Sequence, residues 1–162
     1  TKSAFSRSES VIEKESTGDI KYIPISSNLT LDDNTVNVNF EGMTFLKSDE
    51  DILKRVREDL SIRGIMNLNL KTGGRNVDFV AIHSISRNGH INNHGMLFKS
   101  LETERGFDPE ERDVVPLRCY FELDNPAGIY KFFAVVVQPN GDISNPIHIK
   151  NLKIDSRSVE VF

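Results

Sequence analysis

Apolar and polar residues alternate with period two over much of the chain, the spacing of strands that bury one face and wet the other. In "TVNVNFEGMTFL", Val36, Val38 and Phe40 share one face while Asn37 and Asn39 take the other. "IMNLNL" sets Met66, Leu68 and Leu70 against Ile65, Asn67 and Asn69. "VDFVAIHSI" sets Val80 and Ile82 against Val77, Phe79, Ala81 and His83. Further strands are predicted in "IKYIPIS", where Pro24 suits an edge or a strand end, in "GMLFKSL", in "VVPLRCYFEL", and on both sides of Asn140-Gly141.

One stretch changes period. In "SDEDILKRVREDLSIRG", Ile52, Leu53, Val56 and Leu60 form a helical stripe, and Ser48 or Asp49 can cap its start. Asp49, Glu50 and Asp51 complement the positive end of the helix, and Gly64 is a natural stop. A helix is therefore expected near 49–62, with its stripe on a sheet and its charged back in water. Parallel βαβ units need a helix between successive strands, and the chain offers only this one. The pattern predicts a mainly β protein, an antiparallel β-sandwich of immunoglobulin-like or jelly-roll-like type with one amphipathic helix.

The run from Gly128 to Ile149 is the most strongly patterned. Ile129, Phe133, Val135 and Val137 alternate with Tyr130, Phe132, Ala134 and Val136, and only Lys131 interrupts. A strand apolar on both faces is either covered twice or buried at an interface. The apolar face then changes between Lys150 and Leu152, which places a bulge or strand end near Asn151. "LDNPAGIYKFFAVVVQPNGDISNPI" resembles the final hairpin of immunoglobulin-like domains of the fibronectin type III kind. Leu123, Pro126, Gly128, Tyr130, Asn140-Gly141, Ser144 and Pro146 carry the likeness. The resemblance implies a structural role for Tyr130, pinning a corner between sheets, and makes Asn140-Gly141 the hairpin turn. The chain departs from that family in having no tryptophan, and in its helix and its long 102–113 loop.

The organisation expected is a flexible arm at 1–18, a single sandwich domain at 19–155 and a tail at 156–162. The arm is rich in Ser and Glu, with only Ala4, Phe5, Val11 and Ile12 able to pack. In the tail, Val159, Val161 and Phe162 are spaced as in a strand that could be donated to a neighbour.

At 162 residues, 38% hydrophobic and 27% charged, the chain can bury a real core. Its formal charge of −4 argues against a surface built to neutralise nucleic-acid phosphates, and Lys54, Arg55 and Arg57 read as a solvated helix face. No apolar run approaches the roughly 18 residues of a transmembrane helix. The sole cysteine, Cys119, has no intrachain disulfide partner and reads as a buried, inert thiol. Nothing here selects a compartment.

Candidate chemistry is sparse. His90 and His94 stand four apart, but "NGHINNHG" reads as turn and loop, with solvent-exposed histidines and no third ligand. His83 reads as a hydrogen-bonded histidine within a strand, and His148 as facing water. Asp108, Glu110, Glu111 and Asp113 lack EF-hand spacing and read as a salt-bridged loop. No nucleophile elbow or Walker loop is present. The expectation is no catalytic residue, no cofactor and no metal. The function expected is that of a non-enzymatic structural or assembly protein, such as a virion subunit or exported assembly component. Its partners would be proteins or further copies of itself, held through edges, loops and termini, with Phe5, Val11, Ile12, Phe107, Val159, Val161 and Phe162 as contacts. The alternative is a ligand- or carbohydrate-binding sandwich using the 86–95 and 102–113 loops, in which Phe107 is the only aromatic.

Overall fold

A computed structural model of the protein describes residues 30–31, 36–73, 77–96, 114–124, 126–139 and 142–162. The arm at 1–18, the strand expected at 20–26, the 102–113 loop with its Phe107 and carboxylates, and Asn140-Gly141 lie outside them. Within them the expected fold class holds: the chain is mainly antiparallel β, with two sheets and one short helix.

The smaller sheet contains β2 (Asn37–Phe45), β3 (Ile62–Lys71) and β6 (Val114–Leu123), in the order β2-β3-β6. The larger is centred on β7 (Gly128–Val137). On one side of β7 lies β4 (Phe79–Ser86), followed outward by β5 (Ile91–Met96). On the other, β9 (Ile147–Ile154) pairs along most of β7, and β10 (Val159–Val161) pairs with β9. At the far end of β7, β8 (Ile143–Ser144) pairs with it, and β1 (Thr30–Leu31) runs parallel to β8. The sheets meet face to face, with β2 beside β9 and β6 beside β5.

The period-two residues fill the space between them. Val38, Met66, Leu68, Leu70, Leu117 and Phe121 of one sheet face Val80, Ile82, Phe132, Ala134, Val136 and Leu152 of the other. The residues between these positions on β7 do not reach water either. Phe133, Val135 and Val137 form a second buried cluster with Phe79, Ala81, Ile85 and Ile143 on the opposite face of the larger sheet. β7 is thus a central strand covered on both faces, which is why its sequence shows almost no polar residue.

The face change expected at Asn151 has its cause slightly earlier. Phe132 pairs with Lys150 but Phe133 pairs with His148, so Ile149 is the extra residue of a bulge. Ile149, Leu152 and Ile154 thus all lie in the same core cluster, and the Lys150 ammonium lies 5.6 Å over the Phe40 ring.

The helix α1 (Asp49–Arg57) starts as expected and stops early. Ser48 caps it, its Oγ accepting from the Asp51 amide at 3.3 Å, and Ile52 and Val56 seal one end of the core. The end is set at Asp59, whose φ of 55° turns the chain. The Leu60 amide reaches back to Arg55 O at 2.8 Å and the Asp59 amide to Val56 O at 3.1 Å. This pair of bonds is the Schellman arrangement. Leu60 prolongs the apolar stripe in sequence but is 42% exposed in the structure. Gly64, expected as the stop, instead lies within β3. Because an aspartate occupies a left-handed position that glycine fills without steric cost, Asp59→Gly is expected to stabilise the protein by about 0.5–1 kcal/mol. A rise in urea midpoint at unchanged slope would register this.

The C-terminal segment, read as a strand for a neighbour, is used within its own chain. Asp155 Oδ1 accepts from the amides of Arg157 and Ser158 at 2.8 and 2.9 Å and closes a tight turn. Val159–Val161 then pairs with β9, and Phe162 exchanges two 2.9 Å bonds with Asn151.

Candidate functional site

Three places on the described surface and core bear on function: a cleft at one end of the sandwich, a polar cluster between the sheets and the outer face of the smaller sheet.

The end cleft forms because Ser86, the last residue of β4, pairs with Tyr130 near the start of β7. The β4–β5 turn and the β6–β7 corner therefore face each other across about 500 Å³. On the turn side stand Ser86, Arg87, Asn88, His90 and Asn92, and across from them Asp124 and the segment Ala127–Tyr130. The turn is held by local hydrogen bonds. The Gly89 amide donates to Ser86 O at 2.9 Å, and Gly89 takes φ 86°. A two-residue type I′ turn on the Asn88-Gly89 pair would need positive φ at Asn88 as well. The positive φ falls on Gly89 alone, so the connection is a turn followed by a glycine bulge. Asn88 Oδ1 accepts from the His90 amide at 3.2 Å and from the Ser86 hydroxyl.

Tyr130 is buried at the base of this cleft. Burial raises the pKa of its phenol, and the carboxylates of Asp124 and Asp59 raise it further.

The polar cluster contains the residues that most resemble catalytic groups. Strand β5 covers residues read from sequence as turn and loop, and it corrects the expectation for His94, which is buried at 8% exposure. Ser84 Oγ and His94 Nε2 are 3.0 Å apart, a hydrogen bond whose direction follows the imidazole tautomer. The ring packs against Phe121 and Phe132 at centroid distances of 6.2 and 5.9 Å. Burial, helped by the neighbouring His83, pulls the His94 pKa down to about 4, so the ring is neutral near pH 7. His83 is fully buried on the opposite face of β4, beside Phe133 of the second cluster, with Nδ1 2.8 Å from Asn93 Oδ1. The Cys119 thiol points at His94 O, 3.6 Å away, and burial pushes its pKa up to about 12. A serine beside a histidine has the spacing of a nucleophile and its base. Ser84, however, has no exposed surface, so a substrate has no route to it. Among the described residues no buried side-chain nitrogen or oxygen lacks a partner. The cluster is a satisfied polar link between β4, β5 and β6.

His90 stays exposed on its turn, and His148 is exposed with Nε2 2.7 Å from Asn151 Oδ1. Among the described residues no group of His, Cys, Asp and Glu could hold a metal ion. No helix among them is long and apolar enough to cross a membrane.

The outer face of β2-β3-β6 is broad and wet. Register places Asn39 opposite Asn69, Arg118 opposite Asn67, and both Thr44 and Tyr120 opposite Ile65. Asn37 Nδ2 donates to Asn39 Oδ1 at 3.2 Å, and Asn69 Nδ2 to Glu41 Oε1 at 2.7 Å. In this polar field Tyr120 is 64% exposed and Leu46, at the end of β2, is 54% exposed. Arg63 and Glu122 form an exposed pair at 3.6 Å. Tyr120 was missed by sequence reasoning, although the alternation of "VVPLRCYFEL" carries its signal. Cys119 and Phe121 point inward, so Tyr120 must point out. Of the expected interaction residues that are described, Val159, Val161 and Phe162 lie together on or beside the C-terminal edge strand, Val161 and Phe162 at 39% and 51% exposure.

The fold defines the class, an antiparallel β-sandwich, and comparison with known proteins adds little to it. No protein-family model and no curated protein matches the chain. One solved structure, "X-ray structure of Northeast Structural Genomics Consortium target SoR45", shares 13% identity over 74% of this chain and 84% of that one, with a TM-score of 0.41. That similarity is too distant to bear on role.

Proposed function

We propose that this protein is a non-catalytic, self-associating interaction module whose docking surface is the outer face of the β2-β3-β6 sheet. The observation that carries this is Tyr120, an aromatic ring left mostly in water on the outer face, with Arg118 and Glu122 on either side of it along β6. Tyrosine and arginine are the residue types that most often dominate interface energies. Their arrangement is also self-complementary. A twofold axis near Tyr120 sets the Arg118 of each copy against the Glu122 of the other and stacks the two aromatic patches between them. The intrachain pair from Glu122 to Arg63 is long and exposed, so it competes weakly. A binding role also agrees with the burial of Ser84, His83, His94 and Cys119 away from any substrate.

Sedimentation equilibrium tests the reading by charge exchange. The protein is expected to approach twice its monomer mass as concentration rises. Arg118→Glu alone and Glu122→Arg alone each weaken association about tenfold or more, and the two together restore it. A protein that stays monomeric at all concentrations contradicts the proposal.

The sandwich is further read as immunoglobulin-like. Support comes from the order β2-β3-β6 facing β5-β4-β7-β9, and from a buried tyrosine directly after the corner that joins the sheets.

A second reading is favoured by the end cleft alone. Arg87, Asn88, Asn92 and Asp124 offer donors and acceptors around one concavity, which suits a small polar ligand such as a saccharide. A glycan array without a hit removes it.

A further inference from the structure

A second cleft, of about 380 Å³, opens where the connection between β2 and α1 meets the start of β3. Among the described residues its charged lining has one sign only: Lys47, Arg55 and Arg63, with Ser61 beside them. In a chain of net charge −4, three cations lining one concavity favour an anion there. The arrangement is also ordered. Arg55 Nε donates to Ser61 O at 2.6 Å. That bond fixes the guanidinium plane and leaves its two terminal NH2 groups for a bidentate contact. Ile52 and Ile62, both buried, form the floor, and Leu46 stands exposed at the rim. Arg55 was read from sequence as part of a solvated helix face. After the turn at Asp59, β3 brings Arg63 to the same cleft, and the connection between β2 and α1 brings Lys47.

We propose that this cleft binds a phosphate or sulfate group carried on a small, partly apolar body. Arg55 and Arg63 contact the anion oxygens, Lys47 adds a point charge, and the body of the ligand lies against Leu46. A bare oxyanion fills only part of the volume, so the apolar rim is expected to add affinity. The carboxylate that reaches this group of cations from outside the lining is Glu122, 3.6 Å from Arg63 Nε. That pair is exposed, and a dianion held between two guanidinium groups outcompetes it.

Isothermal titration calorimetry on the full chain, with ionic strength held constant by sodium chloride, uses three probes: inorganic phosphate, inorganic sulfate and phenyl phosphate. One phenyl phosphate is expected to bind per chain, at least about tenfold tighter than inorganic phosphate. Phosphate against sulfate separates the two sources of the same oxyanion. Arg55→Gln and Arg63→Gln are each expected to weaken phenyl phosphate about tenfold, while Lys131→Gln on a distant strand leaves it unchanged. Arg55 also holds Ser61, so Lys47→Gln provides a variant with no structural bond to lose, expected to weaken binding about threefold. Absence of heat above the chloride control for all three probes overturns the proposal. So does binding that survives Lys47→Gln and Arg63→Gln undiminished, or that falls equally with Lys131→Gln.

Discussion

Gly64→Ala is expected to destabilise the protein by about 2–3 kcal/mol, a fall in melting temperature of roughly 5–10 °C. Gly64 faces the core from β3, and the ring of Phe121 on β6 lies directly over it. A Cβ there would stand 2.7 Å from Phe121 Cε1 and closer still to Cζ. The end of a long side chain can often swing aside, but this ring is hemmed in. Phe132 lies 5.5 Å away, Phe45 6.1 Å and His94 6.2 Å, centroid to centroid. The strain therefore passes into a packed aromatic cluster, and exceeds the few tenths to 1 kcal/mol that alanine gains over glycine in the unfolded chain. Phe121→Leu, itself destabilising, should relieve much of it, so the double variant loses less than the sum of the two singles. Additive losses would show that the strain does not arise at the Phe121 ring, and a negligible loss in Gly64→Ala alone that the ring is free to move.

Acid is expected to weaken the fold through His94. The group is held neutral in the folded state, with a pKa of about 4 against its ordinary 6.5. Between these values the unfolded chain binds a proton that the folded chain refuses. Stability is therefore fully present above pH 6.5, falls as pH drops towards 4 and levels off below. The loss reaches about 3 kcal/mol, from 1.36 kcal/mol for each pKa unit. Asp155, exposed and with its pKa lowered first by the Arg157 and Ser158 amides, loses its contribution only below the ordinary carboxylate range. The two effects fall in separate windows. Urea unfolding at a series of pH values should show the slope between 6.5 and 4. His94→Gln, which keeps a polar partner for Ser84 and cannot take up the proton, should flatten that slope. A slope unchanged in the variant would place the effect elsewhere.

What was legible in the sequence was mostly the core. Met66, Leu68 and Leu70 announced their face by alternation, and Phe132 to Val137 announced a strand apolar on both faces, either covered twice or buried at an interface. Period is a local signal, and burial follows it. The misreadings came where a long-range partner decided the outcome. "INNHGM" is poor in strand formers, yet β4 supplies a ladder for it, and tertiary pairing overrides weak local preference. The helix end was misplaced because Leu60 continues the apolar stripe, while the actual stop is an aspartate in a conformation more usual for glycine. The end cleft was hidden for a third reason. Ser86 and Tyr130 are far apart in sequence, and only the β4–β7 register brings their loops together. The net charge of −4 argued against a broadly basic surface, but a sum cannot show that Lys47, Arg55 and Arg63 surround one cleft.

The central claim is that the outer face of the β2-β3-β6 sheet is where this protein meets a second copy of itself. Backbone amide chemical shifts followed through a dilution series test it most directly. The account predicts concentration-dependent shifts at Ile65, Asn67, Arg118, Tyr120 and Glu122, absent from the end cleft and from β10. Shifts confined to Val159–Phe162 or to the 86–92 turn, or no shifts at any concentration, would contradict it.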